Sequence, residues 1–168
     1  MNMDSSFLNV RSSRIHRKGV FTVTHFNQGD LIKTLDDSRV VDPDHPLNSK
    51  LDESEHHCDW LAGGKQILMP TPERYINHSC EPNTYVRTEN ELRHVIALRE
   101  IQVGEEITYD YLLNCHGGVM WKCNCGKLNC RKNIPSSFFD LSIEEQKEKK
   151  HLLDSWFVRE HYLKLQNL

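Results

Sequence analysis

The side chains most able to do chemistry fall into three short stretches of a 168-residue chain. The first to consider is a compact thiol cluster. Cys123-Asn124-Cys125-Gly126-Lys127-Leu128-Asn129-Cys130 has the pattern C-x-C-x4-C. Thiolates suit zinc, and structural zinc is almost always tetrahedral with four ligands. The cluster supplies three. A fourth must come from Cys58, Cys80, Cys115 or a histidine such as His116, and spacing alone does not choose among them. Four thiolates would close the site and make it structural, whereas a water ligand would make it catalytic. The competing reading is three unconnected thiols. Met1 to Ser13 has no apolar signal-peptide core, which favours metal over disulfides for these cysteines.

The second stretch is Arg74-Tyr75-Ile76-Asn77-His78-Ser79-Cys80-Glu81-Pro82-Asn83. Its Asn77-His78-Ser79 sequon is idle without export. A cysteine near a histidine raises the question of a thiol nucleophile. Side chains alternate along an extended chain, which sets His78 poorly for activating Cys80. A plain polar turn is the bland alternative. The third stretch, Gly104-Glu105-Glu106-Ile107-Thr108-Tyr109-Asp110-Tyr111, reads alone as a turn and an edge strand. Its adjacent carboxylates are expected to be solvated rather than to act as an acid/base pair.

These stretches must be positioned by a β-rich scaffold. Gly19–Val23, Asp30–Leu35, Lys65–Met69, Thr84–Thr88, Leu92–Leu98 and Glu106–Tyr109 look extended, with turn residues at Asn27-Gln28-Gly29, Glu89-Asn90-Glu91 and Val103-Gly104. Residues 36–59 are polar and read as an irregular insertion with room for one short helix. Ser142-x-x-Glu145 is a capping box, followed by Leu152, Leu153, Trp156, Phe157 and Leu163 at helical spacing. That stripe packs on the body or, as the alternative, makes a dimer contact. Hydrophobic residues make up 38% and charged residues 27%, as in a folded chain of one domain. No apolar run spans a bilayer. The net charge of -3 argues against a dedicated nucleic-acid binder, which usually carries a basic patch.

Together, Arg-Tyr-Ile-Asn-His-Ser-Cys-x-Pro-Asn, then Gly-Glu-Glu-Ile-Thr-Tyr-Asp-Tyr, then C-x-C-x4-C, in that order, resemble the SET-domain protein-lysine methyltransferases with a post-SET zinc module. The resemblance covers roughly residues 10 to 134 and includes the Ser13–Ile32 opening. It leaves the 36–60 insertion and the C-terminal helix unexplained. It implies a mainly β fold of several small curved sheets with a knot-like crossing, divided as a SET domain (1–114), a post-SET module (115–134) and a C-terminal helical extension (135–168). It implies methyl transfer from S-adenosylmethionine to a lysine of a protein, possibly a histone. The positions matching donor contacts are Lys18, Gly19, Val20, Phe21, Arg74, Tyr75, Asn77, His78 and Tyr111. Tyr111 matches the catalytic tyrosine. Tyr109 occupies the position where tyrosine favours mono- or dimethylation. Cys80 matches the fourth ligand beside Cys123, Cys125 and Cys130, making the zinc structural and leaving Cys58 and Cys115 spare.

Two departures stand out. The family's opening Gly-x-Gly is Arg17-Lys18-Gly19 here, and its Arg-Gly after the last cysteine is Arg131-Lys132. The first leaves open a catalytically weak SET fold serving as an interaction module. The expected location is intracellular, at chromatin for a eukaryotic member, and cytoplasmic or delivered to a host for a bacterial or viral one.

Overall fold

The computed structural model describes residues 7–168. Residues 1–6, part of the stretch in which no export signal is found, lie outside the described residues. The strands in chain order are β1 (Leu8–Ser12), β2 (Lys18–Thr22), β3 (Leu31–Thr34), β4 (Val40–Val41), β5 (Cys58–Trp60), β6 (Gln66–Leu68), β7 (Asn77–His78), β8 (Thr84–Glu89), β9 (Leu92–Ala97), β10 (Glu106–Tyr109), β11 (Trp121–Lys122) and β12 (Asn133–Ile134). They build four small sheets, ordered β1-β2-β10-β7, β3-β9-β8, β4-β6-β5 and β11-β12. Three short helices close the chain: α1 (Ile143–Lys149), α2 (Ser155–Glu160) and α3 (Tyr162–Gln166). Among the described residues no helix is long and apolar enough to cross a membrane.

The β8–β9 hairpin shows how local sequence sets register. Thr84 and Val86 in β8 and Val95 and Ile96 in β9 are β-branched and suit a pleated surface. Asn90 and Glu91 form the two-residue turn with φ of 50° and 65°. Positive φ at both positions is the primed turn whose twist matches that of the flanking strands. The pairing Glu89↔Leu92 through Thr84↔Ala97 follows from it.

The 36–59 insertion is more ordered than its composition indicates. It holds β4, β5 and two 3-10 turns, at Ser49–Leu51 and Glu55–His57. Arg93 of β9, 5% exposed, ties down both of its ends. Its guanidinium grips Asp37 at 2.8 Å and Asp59 at 2.6 Å. Burial alone would favour the neutral form of Arg93, but the two carboxylates win and raise its pKa. Removing either partner of such a pair leaves a buried charge uncompensated, which is costly.

Two cores divide the apolar residues. The first gathers Val20, Ile32, Met69, Val95 and Ile107 among the larger sheets. The second gathers Leu112, Leu113, Ile134, Phe138 and Phe157 with the thiols of Cys80, Cys123 and Cys125. Residues 115–168 thus share a core with the end of the strand region.

The C-terminal stripe packs on the body. Leu152, Leu153, Phe157 and Leu165 are buried, while Leu163 is 76% exposed. The helical segment is broken rather than continuous, with a 3-10 turn at Lys150–Leu152 and a break at His161. Ser142 caps α1 by accepting from the Glu145 N–H at 3.2 Å. The reciprocal half of the capping box does not form in its usual way, because the Glu145 carboxylate takes the Arg131 Nε at 3.0 Å.

Candidate active site

Strand order brings the first and last parts of the site together. β10 pairs antiparallel with β2, placing Glu106 opposite Phe21 and Ile107 opposite Val20. On its other side β10 runs parallel to β7, with Thr108 opposite Asn77 and Tyr109 opposite His78. The Ser79 N–H continues the pairing to the Tyr109 carbonyl at 3.1 Å. Lys18–Phe21, Asn77–His78 and Glu106–Tyr109 therefore lie side by side. Arg74 and Tyr75 sit on the 3-10 turn Glu73–Tyr75 that leads into β7. The Arg74 Nε donates to the Met69 carbonyl at 2.9 Å, and the Lys18 ammonium stands 5.0 Å from the Tyr75 ring.

Glu106 holds this arrangement, a role sequence reasoning missed by treating the Glu105-Glu106 pair as solvated. Glu105 does pair at the surface, with Arg99 at 2.8 Å. Glu106 instead accepts from Asn77 Nδ2 at 2.7 Å, and the Ser13 hydroxyl lies 2.8 Å from its Oε1. Asn77 Nδ2 also donates to the Lys18 carbonyl at 2.8 Å. One carboxylate thus joins the chain before β2, the start of β2 and the start of β7. The available signal was the invariance of strand alternation: Glu106 lies two residues from Thr108 and so faces the same side of β10.

Gly19 is required beside that carboxylate. A Cβ there would collide with the Glu106 carboxyl and come within 3.0 Å of the Ser13 Cβ. Gly19→Ala is expected to displace Glu106 from Asn77 and cost about 1–3 kcal/mol of stability, as overpacking does. A urea midpoint equal to wild type would contradict this account of Gly19.

Tyr111 lies just beyond β10. Its hydroxyl donates to the Ile76 carbonyl at 2.6 Å, and its N–H donates to His78 Nδ1 at 3.1 Å. Tyr111 is 37% exposed as a residue, yet burial around the hydroxyl pushes its pKa well above the ordinary phenol value, so the proton stays on oxygen. Burial does the same for Tyr109. The two tyrosine rings are 4.8 Å apart between centroids. Trp121 of β11, which carried no sequence signal, lies 5.9 Å from Tyr111 and 5.0 Å from His78.

His78 joins this aromatic group to the thiols. Because Nδ1 accepts from Tyr111, the ring proton belongs on Nε2, which lies 3.4 Å from Cys80 Sγ. The alternation argument that kept His78 from Cys80 is therefore wrong: the two stand at i and i+2, which share a side of an extended chain. Burial lowers the His78 pKa to about 4, against an opposing pull from Asp110, so the ring is a neutral donor to sulfur. Cys80 is still no free nucleophile, since burial raises its thiol to about 11 and its sulfur belongs to a cluster.

The sulfurs of Cys80, Cys123, Cys125 and Cys130 lie within 4.8 Å of one another. Cys58 and Cys115 are outside this group. Cys80 and Cys123 are 3.8 Å apart, which is roughly the edge of a tetrahedron with metal–sulfur bonds of about 2.3 Å. The Arg131 N–H points at Cys80 Sγ and the Cys125 N–H at Cys123 Sγ, each at 3.4 Å. N–H donors of this kind stabilise thiolates, and the donor set fits zinc. Arg131 then reaches the fully buried Asp110 at 3.0 Å. The cluster is thereby bonded to the residue preceding Tyr111.

The two missing glycines leave their mark on the backbone. Arg17 has φ of 39° and Lys132 has φ of 62°. Both take the left-handed region that glycine enters freely and other residues enter at a cost.

The family model described as the SET domain matches residues 17–112, more than half of the chain, and the chain belongs to that family. It is 46% identical over 144 residues to the histone-lysine N-methyltransferase trithorax of Drosophila virilis, covering 76% of this chain and 4% of that protein. It is 35% identical over 103 residues to the histone-lysine N-methyltransferase Set2 of Drosophila melanogaster, covering 56% of this chain and 4% of that protein. Among solved structures it resembles KRYPTONITE in complex with mCHG DNA and SAH, with a TM-score of 0.52 and 26% identity, over 75% of this chain and 28% of that one. The mainly β fold of several small sheets agrees with the resemblance. The chain spans only a small part of these longer proteins.

Proposed function

We propose that the chain transfers methyl groups from S-adenosylmethionine to lysine side chains of proteins, with histones as the first candidates. One observation carries the reading: the Tyr111 hydroxyl is fixed on the Ile76 carbonyl at the end of the strands that align Lys18–Phe21 with Asn77–His78. The names of the relatives and the SAH in the KRYPTONITE complex support it. A histone substrate implies action at chromatin.

The donor would be held by Lys18, Gly19, Val20, Phe21, Arg74, Tyr75, Asn77, His78 and Tyr111. S-adenosylmethionine supplies the methyl: the lysine nitrogen lone pair forms the new N–C bond as the S–C bond breaks and its electrons return to sulfur. Aligning the two centres is an orientation problem, and rigid placement is what the residues contribute. The Tyr111 proton is committed to Ile76, so its oxygen is left to accept weak C–H···O contacts from a polarised methyl group. Its raised pKa makes it no base; the amine loses its proton to solvent. A narrow channel beside the positively charged sulfonium would disfavour the charged ammonium through desolvation and like-charge repulsion.

Zinc bound by Cys80, Cys123, Cys125 and Cys130 would be structural, since four thiolates leave no position for water. The rival reading, a SET fold without turnover, is favoured only by Arg17. Its positive φ builds the turn that a glycine would build, which weakens that objection.

Tyr109 sets the degree of methylation in this reading, as its hydroxyl fills space beside the amine. Tyr109→Phe is expected to shift product from mono- and dimethyl- toward trimethyllysine. Mass spectrometry finding no more trimethyl product than wild type would remove that assignment. The function itself is tested by transfer of labelled methyl groups to core histones, with calorimetry of S-adenosylmethionine as the check on donor binding.

A further inference from the structure

A wide opening lies away from the aromatic site. It is a groove of about 680 Å³ in the insertion and shares no lining residue with positions 74–78 or 109–111. Half-buried Val40, Val41 and Leu47 line it together with Pro43 and Pro46, and Trp60, also in the lining, is 51% exposed. β4 pairs with β6 alone among the strands, and the Val40 N–H and carbonyl are taken by the Ser38 carbonyl at 3.2 Å and the Arg39 guanidinium at 2.6 Å. Trp60 ends β5, the strand whose Asp59 is gripped by Arg93 at 2.6 Å.

Charge identifies the occupant. Residues 36–59 carry eight carboxylates against Arg39 and Lys50, a formal -6, in a chain whose total is -3. Part of this is neutralised: Asp37 and Asp59 bind Arg93, and Glu53 binds Arg39. Asp44, Asp52 and Glu55 have no lysine or arginine within salt-bridge distance among the described residues; Glu55 lines the groove together with Asp42, whose carboxylate also meets the His45 ring at 3.0 Å. Lys65 is the one cation in its lining. Guanidinium and ammonium side chains lay their aliphatic stems on apolar surface and their charged ends over indole faces. Lining prolines, an exposed tryptophan and acidic residues together form a receptor for such side chains.

We propose that this groove docks an arginine- and lysine-rich segment of the substrate protein, outside the acceptor lysine's own channel. Naming that segment as part of a methylated substrate rests on the methyltransferase reading; the groove's preference for cationic peptides does not. Acceptor peptides lacking the segment would bind more weakly, with the rate of methyl transfer unchanged once bound.

The test uses the full, zinc-loaded chain and a fluorescein-labelled 12-residue peptide repeating Arg-Pro-Leu, which has no lysine and so cannot occupy the acceptor position. Fluorescence anisotropy is expected to show binding that weakens with added salt, as surface charge attraction does. Trp60→Ala and Glu55→Lys each replace an exposed side chain, and circular dichroism confirms their folding. Each is expected to weaken peptide binding at least about tenfold, in line with loss of an aromatic or charged anchor. Tyr111→Phe should bind the peptide as wild type does. The peptide should also raise KM for core histones without changing kcat. Equal binding of a Ser-Pro-Leu control peptide, or wild-type affinity in Trp60→Ala, overturns the proposal. So does binding without any effect on histone KM in an active enzyme. Sedimentation showing that wild type is a dimer and Trp60→Ala a monomer would assign the groove to a second copy and overturn it as well. Peptide binding by a chain that methylates nothing would instead defeat the methyltransferase reading while leaving the groove's cationic preference standing.

Discussion

Tyr111→Phe is expected to lower kcat by about a hundredfold or more while leaving the affinity for S-adenosylmethionine within a few-fold, as loss of a group that orients reacting atoms does. The ring should stay in position. It is packed 4.8 Å from Tyr109 and 5.4 Å from His78, and its backbone N–H still donates to His78. What is lost is the hydroxyl, and with it the bond to the Ile76 carbonyl. Ile76 is 2% exposed, so its carbonyl is left without that partner at a cost of about 1–3 kcal/mol. A modest fall in melting temperature should therefore accompany a large fall in turnover. Single-turnover kinetics separates the two. A variant with kcat within about threefold of wild type would mean that the Tyr111 oxygen does not face the reacting methyl, because positional losses of this kind exceed that factor.

In the proposed reading, removing zinc from the four-cysteine cluster is expected to damage the proposed donor site as well as the thiol module. The cluster lies inside the second core, where Cys80, Cys123 and Cys125 are buried with Leu112, Phe138 and Phe157. Structural zinc contributes on the order of 10–16 kcal/mol in isolated finger peptides, so chelation should release the whole 121–134 segment. The effect reaches further because Cys80 follows Asn77–His78 directly, and His78 binds both Cys80 Sγ and the Tyr111 N–H. Arg131, next to Cys130, also loses its hold on Asp110. Chelation, or Cys123→Ser, should weaken S-adenosylmethionine binding at least about tenfold and lift hydrogen-exchange protection from residues 77–80 and 109–112, as local unfolding does. Metal analysis gives the stoichiometry, expected at one zinc per chain. Loss of zinc with donor affinity and turnover unchanged would separate the module from the site.

Much of the scaffold was legible because it rests on local patterns. β2, β3, β6, β8, β9 and β10 coincide with the alternating or β-branched runs to within a residue or two. Ser142 caps α1 as the box predicts. Most of what escaped was short or non-local; β1, five residues long and paired with its neighbour β2, escaped as well. β4, β7, β11 and β12 have two residues each, too few for any period to appear. β7 exists only because β10, some thirty positions away, runs parallel to it, and nothing near Asn77 encodes that partner. The same blindness hid Glu106, whose meaning depends on Ser13 and Asn77, and Trp121, whose neighbours are His78 and Tyr111. The error on His78 and Cys80 was of another kind: it misapplied a local rule, since residues at i and i+2 share a side of an extended chain. The departures at Arg17 and Lys132 teach the reverse lesson. There the sequence lacks glycine, but the backbone keeps a glycine-like conformation. Hydrogen bonds from the surrounding turns, such as Ser13 N–H to the Arg17 carbonyl at 3.1 Å and Cys123 N–H to the Lys132 carbonyl at 2.8 Å, hold it.

The most direct measurement of the central claim is transfer of tritiated methyl groups from S-adenosylmethionine to core histones and to whole-cell lysate, comparing zinc-loaded wild type with Tyr111→Phe. Labelled bands should then be read residue by residue by mass spectrometry. The expected result is methylated lysine with wild type and almost none with the variant. Wild type and Tyr111→Phe equally silent on every substrate, or label on residues other than lysine, would contradict it.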